Sequence, residues 1–315
     1  MKKNTIIITG ALGHIGSKLI RSLDGNFIEK VFLLDNLESQ RYPSLFDLPK
    51  NISYEFLHED AKKFDFNSFF KNKNIDIAVH LAAITDAESS FKKSKKVESV
   101  NFGSLKKIAD ASLKNGVRLF FPSTTSVYGS QKTKVDEKCK ELRPQSPYAN
   151  SKLTAENYLT GLKEKGLKFV VCRFGTIFNF SPGMRFHTAV NKFTWQAING
   201  LPITVWKTAW KQRRPYLDLE DCVRAINFVF KKDLFDGEIY NVLTKNYTVE
   251  DIVTSIKQFA PNLAVSYVDS PIMNQLSYDV DDSKFRRVGF QVSGDIKKSL
   301  NEVFSRFSGI LKKES

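Results

Sequence analysis

The first half of the chain alternates short, nearly continuous apolar runs with longer amphipathic stretches. Strands that are buried on both faces of a parallel sheet have apolar runs of this kind. The stretches between the runs show helical periodicity, as where Leu19, Ile20 and Leu23 fall on one face. Repeated β–α units predict an α/β fold, a doubly wound parallel sheet with helices on both sides. The predicted strands are 4–9, 30–35, 52–57, 75–81, 117–123 and 167–174.

After about residue 175 this alternation weakens. The pattern there predicts short strands at 203–206, 238–243 and 265–268, and helices at 188–199, 220–231 and 249–259. We interpret this part as a smaller mixed α/β lobe that is interleaved with the end of the first domain. The predicted division assigns 1–175 to the sheet domain, with a return segment near 216–240, and assigns 176–215 and 241–315 to the lobe.

The composition is that of a globular protein, with 42% hydrophobic and 26% charged residues in 315. A net charge of +14 attracts anions in general, although the lysines are scattered among acids as on an ordinary solvated surface. No apolar run reaches the ~18 residues of a membrane span, so we expect no membrane partner. The well-separated cysteines 139, 172 and 222 predict neither a disulfide framework nor a metal site, and they indicate a cytoplasmic protein.

The first predicted strand runs into a glycine-rich loop, Gly10-Ala-Leu-Gly13-His-Ile-Gly16, that opens a predicted helix. Glycines at these positions allow a tight turn and let the backbone approach a pyrophosphate, which then lies at the positive end of the helix. We expect His14 to contact phosphate through its backbone rather than to serve as an acid–base catalyst. His80 lies within an apolar strand and is expected to be a core residue with satisfied polar atoms.

An acidic residue follows the glycine-rich loop at the expected distance. The second predicted strand ends in Asp35, 19 residues after Gly16, close to the ~20 of dinucleotide-binding units. A carboxylate there can accept hydrogen bonds from both ribose hydroxyls. Its charge, with Glu38 nearby, would repel a 2′-phosphate, and no arginine directly follows it. The sequence therefore predicts NAD as the cofactor rather than NADP.

A tyrosine and a lysine, Tyr148 and Lys152, are spaced four residues apart and so lie on the same face of a predicted helix. An ammonium group beside a phenol lowers the phenol's pKa from ~10 towards neutrality, which makes it a usable general acid or base. Upstream, the fifth predicted strand ends in a run of hydroxyl residues that includes Thr124. An α/β sheet places its ligands at this edge.

Several segments follow one another in a distinctive order: TGALGHIG, LLDN, VHLAAIT, STTSVYG, SPYANSK, QRRPYLDLEDCVRAI and EIYNV. Over roughly residues 4–290 they resemble the extended short-chain dehydrogenase/reductases, in particular the nucleotide-sugar epimerases and dehydratases such as UDP-glucose 4-epimerase. The resemblance implies a Rossmann domain, with Tyr148 as the base, Lys152 as its electrostatic partner and a ribose ligand, and Thr124 as the hydroxyl that bonds the sugar oxygen. The cofactor contacts it implies are Gly10, Gly13, His14, Ile15, Gly16, Asp35, Asn36, Asp60, Ala61, Leu81, Ala82, Ala83, Asn101, Tyr148 and Lys152.

The resemblance also bears on the chemistry after the first oxidation of the sugar. In similar dehydratases and decarboxylases a Glu usually lies two residues before the tyrosine of the YG turn, and in 3,5-epimerases a Cys often does; here the residue is Ser126. A neutral hydroxyl is a poor acid–base group. Two simpler outcomes remain, 4-epimerisation and release of the keto product as by a dehydrogenase. We predict the epimerase, with a dehydrogenase and then a 4,6-dehydratase as alternatives.

For the substrate, the resemblance implies a nucleotide-diphosphate sugar that is held by the smaller lobe. Arg214 is expected to grip the diphosphate, although Pro215 replaces the acid that usually follows it. A planar guanidinium suits bidentate phosphate binding; the alternative for such arginines is a surface ion pair. The other implied substrate contacts are Thr124, Thr176 (where the family usually has Asn), Arg185 and Tyr278.

The resemblance further implies a homodimer or a dimer of dimers, through predicted helices around 97–115 and 148–164. Two other classes of function compete with an enzyme. A non-catalytic dinucleotide sensor would have no use for the Thr–Tyr–Lys set. A nucleic-acid-binding protein would be expected to have a basic run interleaved with aromatic residues, and the sequence shows none.

Overall fold

The computed structural model describes residues 3–87, 89–269 and 278–310. In the first part of the chain, strands and helices alternate as predicted. These elements are β1 (Asn4–Thr9), α1 (His14–Ser22), β2 (Ile28–Asp35), β3 (Ser53–His58), α2 (Phe66–Lys73), β4 (Ile77–His80), α3 (Ser94–Asn115), β5 (Arg118–Thr124), α4 (Pro147–Lys163) and β6 (Phe169–Phe174).

The second part of the chain has shorter elements. They are β7 (Thr176–Phe178), α5 (Ala189–Ile198), β8 (Ile203–Trp206), β9 (Arg213–Asp218), α6 (Leu219–Lys232), β10 (Ile239–Val242), β11 (Lys245–Thr248), α7 (Val249–Lys257), β12 (Val265–Val268), α8 (Ser283–Arg287) and α9 (Ile296–Arg306). The stretches 270–277 and 311–315 of the predicted lobe lie outside the described residues.

The central sheet has seven parallel strands in the order β10-β6-β5-β4-β1-β2-β3. Successive side chains of β1 point to opposite faces, because a strand has a period of two. Ile6 and Ile8 enter a core with α1 and α6, whereas Ile7 enters a core with α2, α3 and α4. This is the predicted α/β fold, a doubly wound sheet with a smaller mixed lobe.

The return of the chain into the central sheet runs through α6, which packs on α1. β10 then pairs with β6 from Ile239 to Val242, beyond the predicted end of the return segment at 240. Tyr240 and Val242 are buried in the same core as Ile6. The strand predicted at 238–243 therefore completes the large sheet.

The smaller lobe contains a three-stranded sheet, β11-β9-β7, and a parallel pair, β12 with β8. Its core joins α5, α7 and α9 through residues such as Phe193, Ile252 and Phe304. The strands β7, β9 and β11 were not predicted, because they are short and only partly apolar. Within the described ranges, no helix has both the length and the apolar character that crossing a bilayer requires.

Candidate active site

A cleft of about 1010 Å³ lies at the carboxyl edge of the central sheet, bounded on its far side by the smaller lobe. The strand order changes direction between β1 and β4, and open α/β sheets bind their ligands at such a point. The ends of β1, β2, β4 and β5 all reach this cleft. Its volume is at the upper end for small-molecule sites, as two neighbouring ligands would require.

The glycine-rich loop is shaped for close backbone contact. Gly10 has φ +65°, and a Cβ there would lie 2.7 Å from the Ala82 backbone. A Cβ on Gly16 would lie 2.4 Å from the carbonyl oxygen of Ala11. Gly13 precedes α1 without a side-chain cap, so the first N–H groups of this helix remain available to a ligand. The loop has the close-packed backbone and the uncapped helix start that a phosphate cradle requires, and we refer to it below as the cradle.

Asp35 ends β2 at the rim of this cradle. Its Oδ2 accepts a hydrogen bond from the Leu12 N–H at 3.1 Å, and its Oδ1 accepts one from the Leu37 N–H at 3.0 Å. These bonds fix the carboxylate and leave lone pairs for further donors. Fourteen of the fifteen predicted cofactor contacts line the cleft: Gly10, Gly13, His14, Ile15, Gly16, Asp35, Asn36, Asp60, Ala61, Leu81, Ala82, Ala83, Tyr148 and Lys152.

The fifteenth predicted contact, Asn101, is buried behind the cleft wall. Its Oδ1 accepts from the Ile84 N–H at 2.8 Å, and its Nδ2 donates to the Ile84 carbonyl at 3.1 Å and to Ser151 Oγ at 3.0 Å. Both amide protons are therefore in use. Asn101 ties the loop after β4 to α4 and does not line the cleft in this structure, so its contact with the cofactor stays a prediction.

His14 faces the cleft with its side chain as well as its backbone. Its Nδ1 lies 2.8 Å from Ser181 Oγ, while its Nε2 is buried and has no hydrogen-bond partner. Burial, helped by the charges of Arg185 and Arg41, lowers the pKa of His14 to about 3. The neutral ring therefore presents an unused polar atom beside the cradle, and this fits a phosphate-bearing ligand. His80 is a satisfied core residue as predicted, bonded to Thr9 at 2.8 Å and Ser104 at 3.1 Å.

Two basic residues near the cradle, Arg41 and His187, belong to loops without a recognisable motif, and burial with the charge of Arg185 lowers the pKa of His187 so that its ring is neutral at neutral pH. Arg41, in the loop after β2, lines the cleft, and burial lowers its pKa to about 10, with Arg185 contributing and Asp35 opposing. His187 lies two residues after Arg185 and also lines the cleft. Neither residue was predicted from the sequence, since only the folded chain brings these loops to the glycine-rich loop.

The predicted catalytic residues meet at the sheet side of the cleft. Ser146 caps the start of α4 by accepting from the Ala149 N–H, and Pro147 occupies the first turn. This start places Tyr148 beside Thr124, which hydrogen-bonds the phenol. Thr124 Oγ1 also accepts from the Ser126 N–H at 3.1 Å and so fixes the turn after β5.

The predicted effect of Lys152 on Tyr148 was wrong for this structure. Burial raises the pKa of Tyr148 to about 12, and the bond from Thr124 and the charge of Arg185 only partly oppose it. Lys152 Nζ donates to the Pro122 carbonyl at 2.7 Å and lies 4.4 Å from the centre of the Phe121 ring. Burial also lowers the pKa of Lys152, to about 7, with Glu156 opposing. Both charged forms are penalised because Lys152 is buried and Tyr148 is half-buried in the wall of the cleft.

Four of the five predicted substrate contacts line the cleft: Thr124, Thr176, Arg185 and Arg214. The fifth, Tyr278, is buried outside the lining, and its hydroxyl lies 3.5 Å from Thr125 Oγ1. Tyr278 thus supports the turn that carries Ser126 rather than facing the cleft. Arg185 hydrogen-bonds Thr85 across the cleft. Among the described residues, no cluster of His, Cys, Asp and Glu could hold a metal ion.

Comparison with known proteins identifies relatives of the whole fold. The family profile described as "NAD dependent epimerase/dehydratase family" matches residues 6–242. An uncharacterised UDP-glucose epimerase of Bacillus subtilis is 30% identical over 247 residues, 75% of this chain and 76% of that protein. A trifunctional UDP-glucose 4,6-dehydratase, 3,5-epimerase and reductase of Arabidopsis thaliana is 28% identical over 92% of this chain, which spans only 45% of that protein.

Among solved structures, the UDP-glucuronic acid 4-epimerase of Bacillus cereus, in complex with UDP-glucuronic acid and NAD, is similar with a TM-score of 0.86. The match covers 97% of this chain and 99% of the other at 22% identity. Likeness at this identity shows a shared fold.

Proposed function

Because the chain belongs to the NAD-dependent epimerase/dehydratase family, we propose that it is a nucleotide-sugar 4-epimerase that works through a 4-keto intermediate and keeps NAD bound between cycles. The observation that carries the proposal is the hydrogen-bonded pair of Thr124 and Tyr148 in the cleft. In the turn after Thr124, the residue that lines the cleft is Ser126, which has a neutral hydroxyl. NAD, when bound, accepts a hydride from the sugar and returns it.

The cofactor space fits NAD on three observations. A Cβ added at Gly10 or Gly16 would clash with the backbone of Ala82 or Ala11, so only glycine allows the loop to pack this closely against its neighbours. The orphaned Nε2 of His14 lies beside this loop, where a pyrophosphate oxygen can accept from it. Asp35 is fixed by two backbone donors at the position for ribose hydroxyls. We assign Asp60 and Ala61 to the adenine end and Leu81 to Ala83 to the middle of the cofactor.

Tyr148 is proposed to move the proton of the sugar 4-hydroxyl, and Thr124 to bond the same oxygen. A phenol with a pKa of about 12 holds its proton at neutral pH, so positive charge must stabilise its ionised form in the working complex. Two cations are placed to do this. Arg185 already acts on Tyr148 through its charge, and Lys152 lies one helical turn further along α4.

Epimerisation requires the keto-sugar to present its other face before the hydride returns. We propose that Arg214 holds the diphosphate while the sugar pivots beneath it. Arg214 lies on β9, at the lobe side of the cleft, opposite the cradle that holds the cofactor. A grip on the diphosphate leaves the sugar itself free to turn. Thr176 and Arg185 line the space in which it would turn.

The alternatives differ in the fate of the keto-sugar. A dehydrogenase would release the keto product, and a 4,6-dehydratase would expel the 6-hydroxyl as water. Ser126 offers no carboxylate for that elimination, which argues against the dehydratase. The Thr124–Tyr148–Lys152 set argues against a non-catalytic NAD sensor, which would not use it. A nucleic-acid partner is not proposed, because the sequence has no basic run interleaved with aromatic residues.

The chain is further proposed to act as a cytoplasmic homodimer, alone or as a dimer of dimers. All three cysteines are free thiols, and Cys172 and Cys222 are buried in the central core. A reducing compartment preserves such thiols. The helices α3 and α4 pack side by side and present one continuous outer face.

The function is tested by incubating the purified protein with UDP-, GDP- and dTDP-sugars and following products by NMR and mass spectrometry. We expect two C4 epimers of equal mass and no stoichiometric NADH absorbance. Tyr148→Phe should keep fold and NAD but lose roughly 10²–10⁴-fold in turnover. Tyr267→Phe, at an exposed tyrosine on β12 outside the cleft, is the matched control. A product lighter by two hydrogens would indicate the dehydrogenase, and one lighter by water the dehydratase.

A further inference from the structure

The catalytic face of α4 continues one turn beyond Lys152 to a buried acid. Tyr148, Lys152 and Glu156 are spaced four residues apart and therefore lie on one face of the helix. Glu156 is only 1% exposed and forms an ion pair with Arg173 on β6, which is 3% exposed. Neither residue lines the cleft. The pair lies behind the catalytic residues, away from any ligand.

The ion pair joins three elements. Arg173 Nε lies 3.1 and 3.2 Å from the two carboxylate oxygens of Glu156, and Arg173 Nη2 lies 2.6 Å from Oε2. The hydroxyl of Ser123 also donates to Glu156. Ser123 directly precedes Thr124 at the end of β5. The Glu156 carboxylate therefore ties the helix of Tyr148 to the strand of Thr124.

Stability alone gives a weak reason for this pair. Removing two charges from water costs several kcal/mol per ion, and well-packed apolar replacements of buried pairs are often neutral or stabilising. Burial by itself would lower the pKa of Arg173, yet its bonds to Glu156 leave it raised above the usual value. Arg173 thus keeps its charge beside the Glu156 carboxylate deep in the protein.

Lys152 is the neighbour on which the Glu156 charge acts. Among the described residues, Glu156 on α4 acts on the Lys152 ammonium through its charge, and Lys152 in turn acts on His80 at the end of β4. Burial, with the charge of Lys152, lowers the pKa of His80 to about 3, so this ring is neutral. Tyr148 holds its proton in the free protein. Glu156 is therefore the anion that opposes the loss of the Lys152 proton.

We propose that Glu156 is a positioning residue for the Tyr148–Lys152 pair, holding Lys152 in its charged form and fixing α4 against the strand that carries Thr124. Arg173 orients the Glu156 carboxylate and makes its burial tolerable. The inference rests on the roles of Tyr148 and Lys152 in the proposed function.

The test distinguishes an effect of the ion pair on folding from an effect of the Glu156 charge on Lys152. Glu156→Met/Arg173→Met replaces the pair by apolar side chains of similar length, so it should fold with a Tm close to that of the parent. The titration of Lys152 is followed by NMR of ¹³C-labelled lysine, assigned with Lys152→Arg. In Glu156→Gln, which removes only the negative charge, we expect the Lys152 midpoint to fall by at least about one pH unit, as for loss of a nearby opposite charge. The double variant also removes the positive charge of Arg173, so its midpoint should fall by less. In each variant the alkaline limb of the kcat profile should move to lower pH by the same amount as the midpoint.

Two further variants keep the test falsifiable. Glu156→Gln retains the side-chain volume and the hydrogen bond from Ser123 but removes the negative charge. It allows the Lys152 titration to be measured if the double variant does not fold. Lys163→Met/Glu238→Met removes an exposed ion pair that begins on the same helix, with side chains 41% and 44% exposed, and should leave the Lys152 midpoint unchanged. Glu156→Asp should restore most of the parent pH profile.

The outcomes distinguish this inference from the proposed function. A folded Glu156 variant with the parental Lys152 midpoint overturns the inference, whatever the parent does to a sugar. If the Glu156 variants lower the Lys152 midpoint but the unmodified protein converts none of the nucleotide sugars, the inference is supported and the proposed epimerase activity is contradicted. A third outcome is that the unmodified protein epimerises its substrate while the Glu156 variants raise KM and leave kcat and its pH profile unchanged. That result would show that Glu156 has only a structural role.

Discussion

At the scale of single residues, we propose that Asp35 selects NAD over NADP. Its carboxylate is held by the backbone N–H groups of Leu12 and Leu37, so it cannot turn away from a ligand. A 2′-phosphate would meet this fixed charge, whereas ribose hydroxyls can donate to it. Glu38, the other acid named with it, is paired with Lys96 at 2.7 Å and contributes less repulsion. The family's NAD dependence agrees with this arrangement.

Asp35→Asn is therefore expected to weaken NAD binding by about 1.5–3 kcal/mol, the usual worth of a hydrogen bond to a charged group. The same change should narrow the gap between NAD and NADP, because Arg41 nearby would then attract a 2′-phosphate without opposition. Isothermal titration calorimetry with both dinucleotides measures the effect. Glu38→Gln is the comparison and should change the two affinities only slightly. An unchanged preference in Asp35→Asn would contradict this role.

The residues that the sequence could predict are those in contiguous motifs. The glycines of the first loop, Asp35 and the Tyr148–Lys152 pair are each read from local spacing, and all of them line the cleft. Arg41 and His187 could not be found, because their loops reach the cradle only through tertiary folding. The pKa of Tyr148 was predicted in the wrong direction, since spacing gives proximity on a helix but not the degree of burial.

At the scale of elements, the apolar strands of the large sheet were predictable and the short strands of the lobe were not. β1, at Asn4–Thr9, is buried at every residue, and an apolar run of this length bounded by a glycine-rich turn is typical of a central strand. β11 has the sequence KNYT and a mostly polar surface. Its strand conformation comes from antiparallel pairing with β9, a partner about 30 residues away, rather than from its own pattern.

The segment after β7 connects the lobe to the cofactor loop. The Gly183 N–H donates to Ser17 Oγ at 3.0 Å, and a Cβ on Gly183 would lie 2.3 Å from the Leu12 carbonyl oxygen and 2.5 Å from that of Gly13. Gly183→Ala must therefore displace the backbone that forms the cradle. We expect a lower Tm and clearly weaker NAD binding. Gly309→Ala, where no atom lies within 4 Å of the added Cβ, should change neither. If Gly183→Ala bound NAD as tightly as the unmodified protein, the two loops would have to move apart without weakening the NAD site.

At the scale of the whole molecule, the sequence pattern predicts the doubly wound sheet that the strand order shows. The boundary between the sheet domain and the smaller lobe, however, depends on long-range packing. The apolar side of α6 is matched to α1, more than 190 residues earlier, and this contact carries β10 into the central sheet. Periodicity can predict the helix and the strand separately. It cannot say which of two sheets receives the strand, because both offer an edge.

Assembly is the remaining property at this scale. α3 and α4 bury Leu105, Ile108 and Leu159 against the sheet. Their outer face carries Phe102 against the edge of Tyr158, with ring centres 5.7 Å apart, and an ion pair of Lys106 with Asp110 beside it. Aromatic groups with satisfied polar neighbours suit a face that a second copy covers about a two-fold axis. Such a dimer would brace α4, and with it Tyr148 and Lys152, from the side opposite the sheet.

We predict a particle of about twice the 35.9 kDa chain mass in light scattering at micromolar concentration. Thr154→Arg, on the exposed outer face of α4, places a charge in the proposed interface and should give a monomer with reduced turnover. Thr160→Arg makes the same change on the same helix, roughly 120° around its axis, and should remain dimeric. A monomeric parent would contradict the assembly. A dimer that Thr154→Arg leaves intact would show that a different surface joins the two copies.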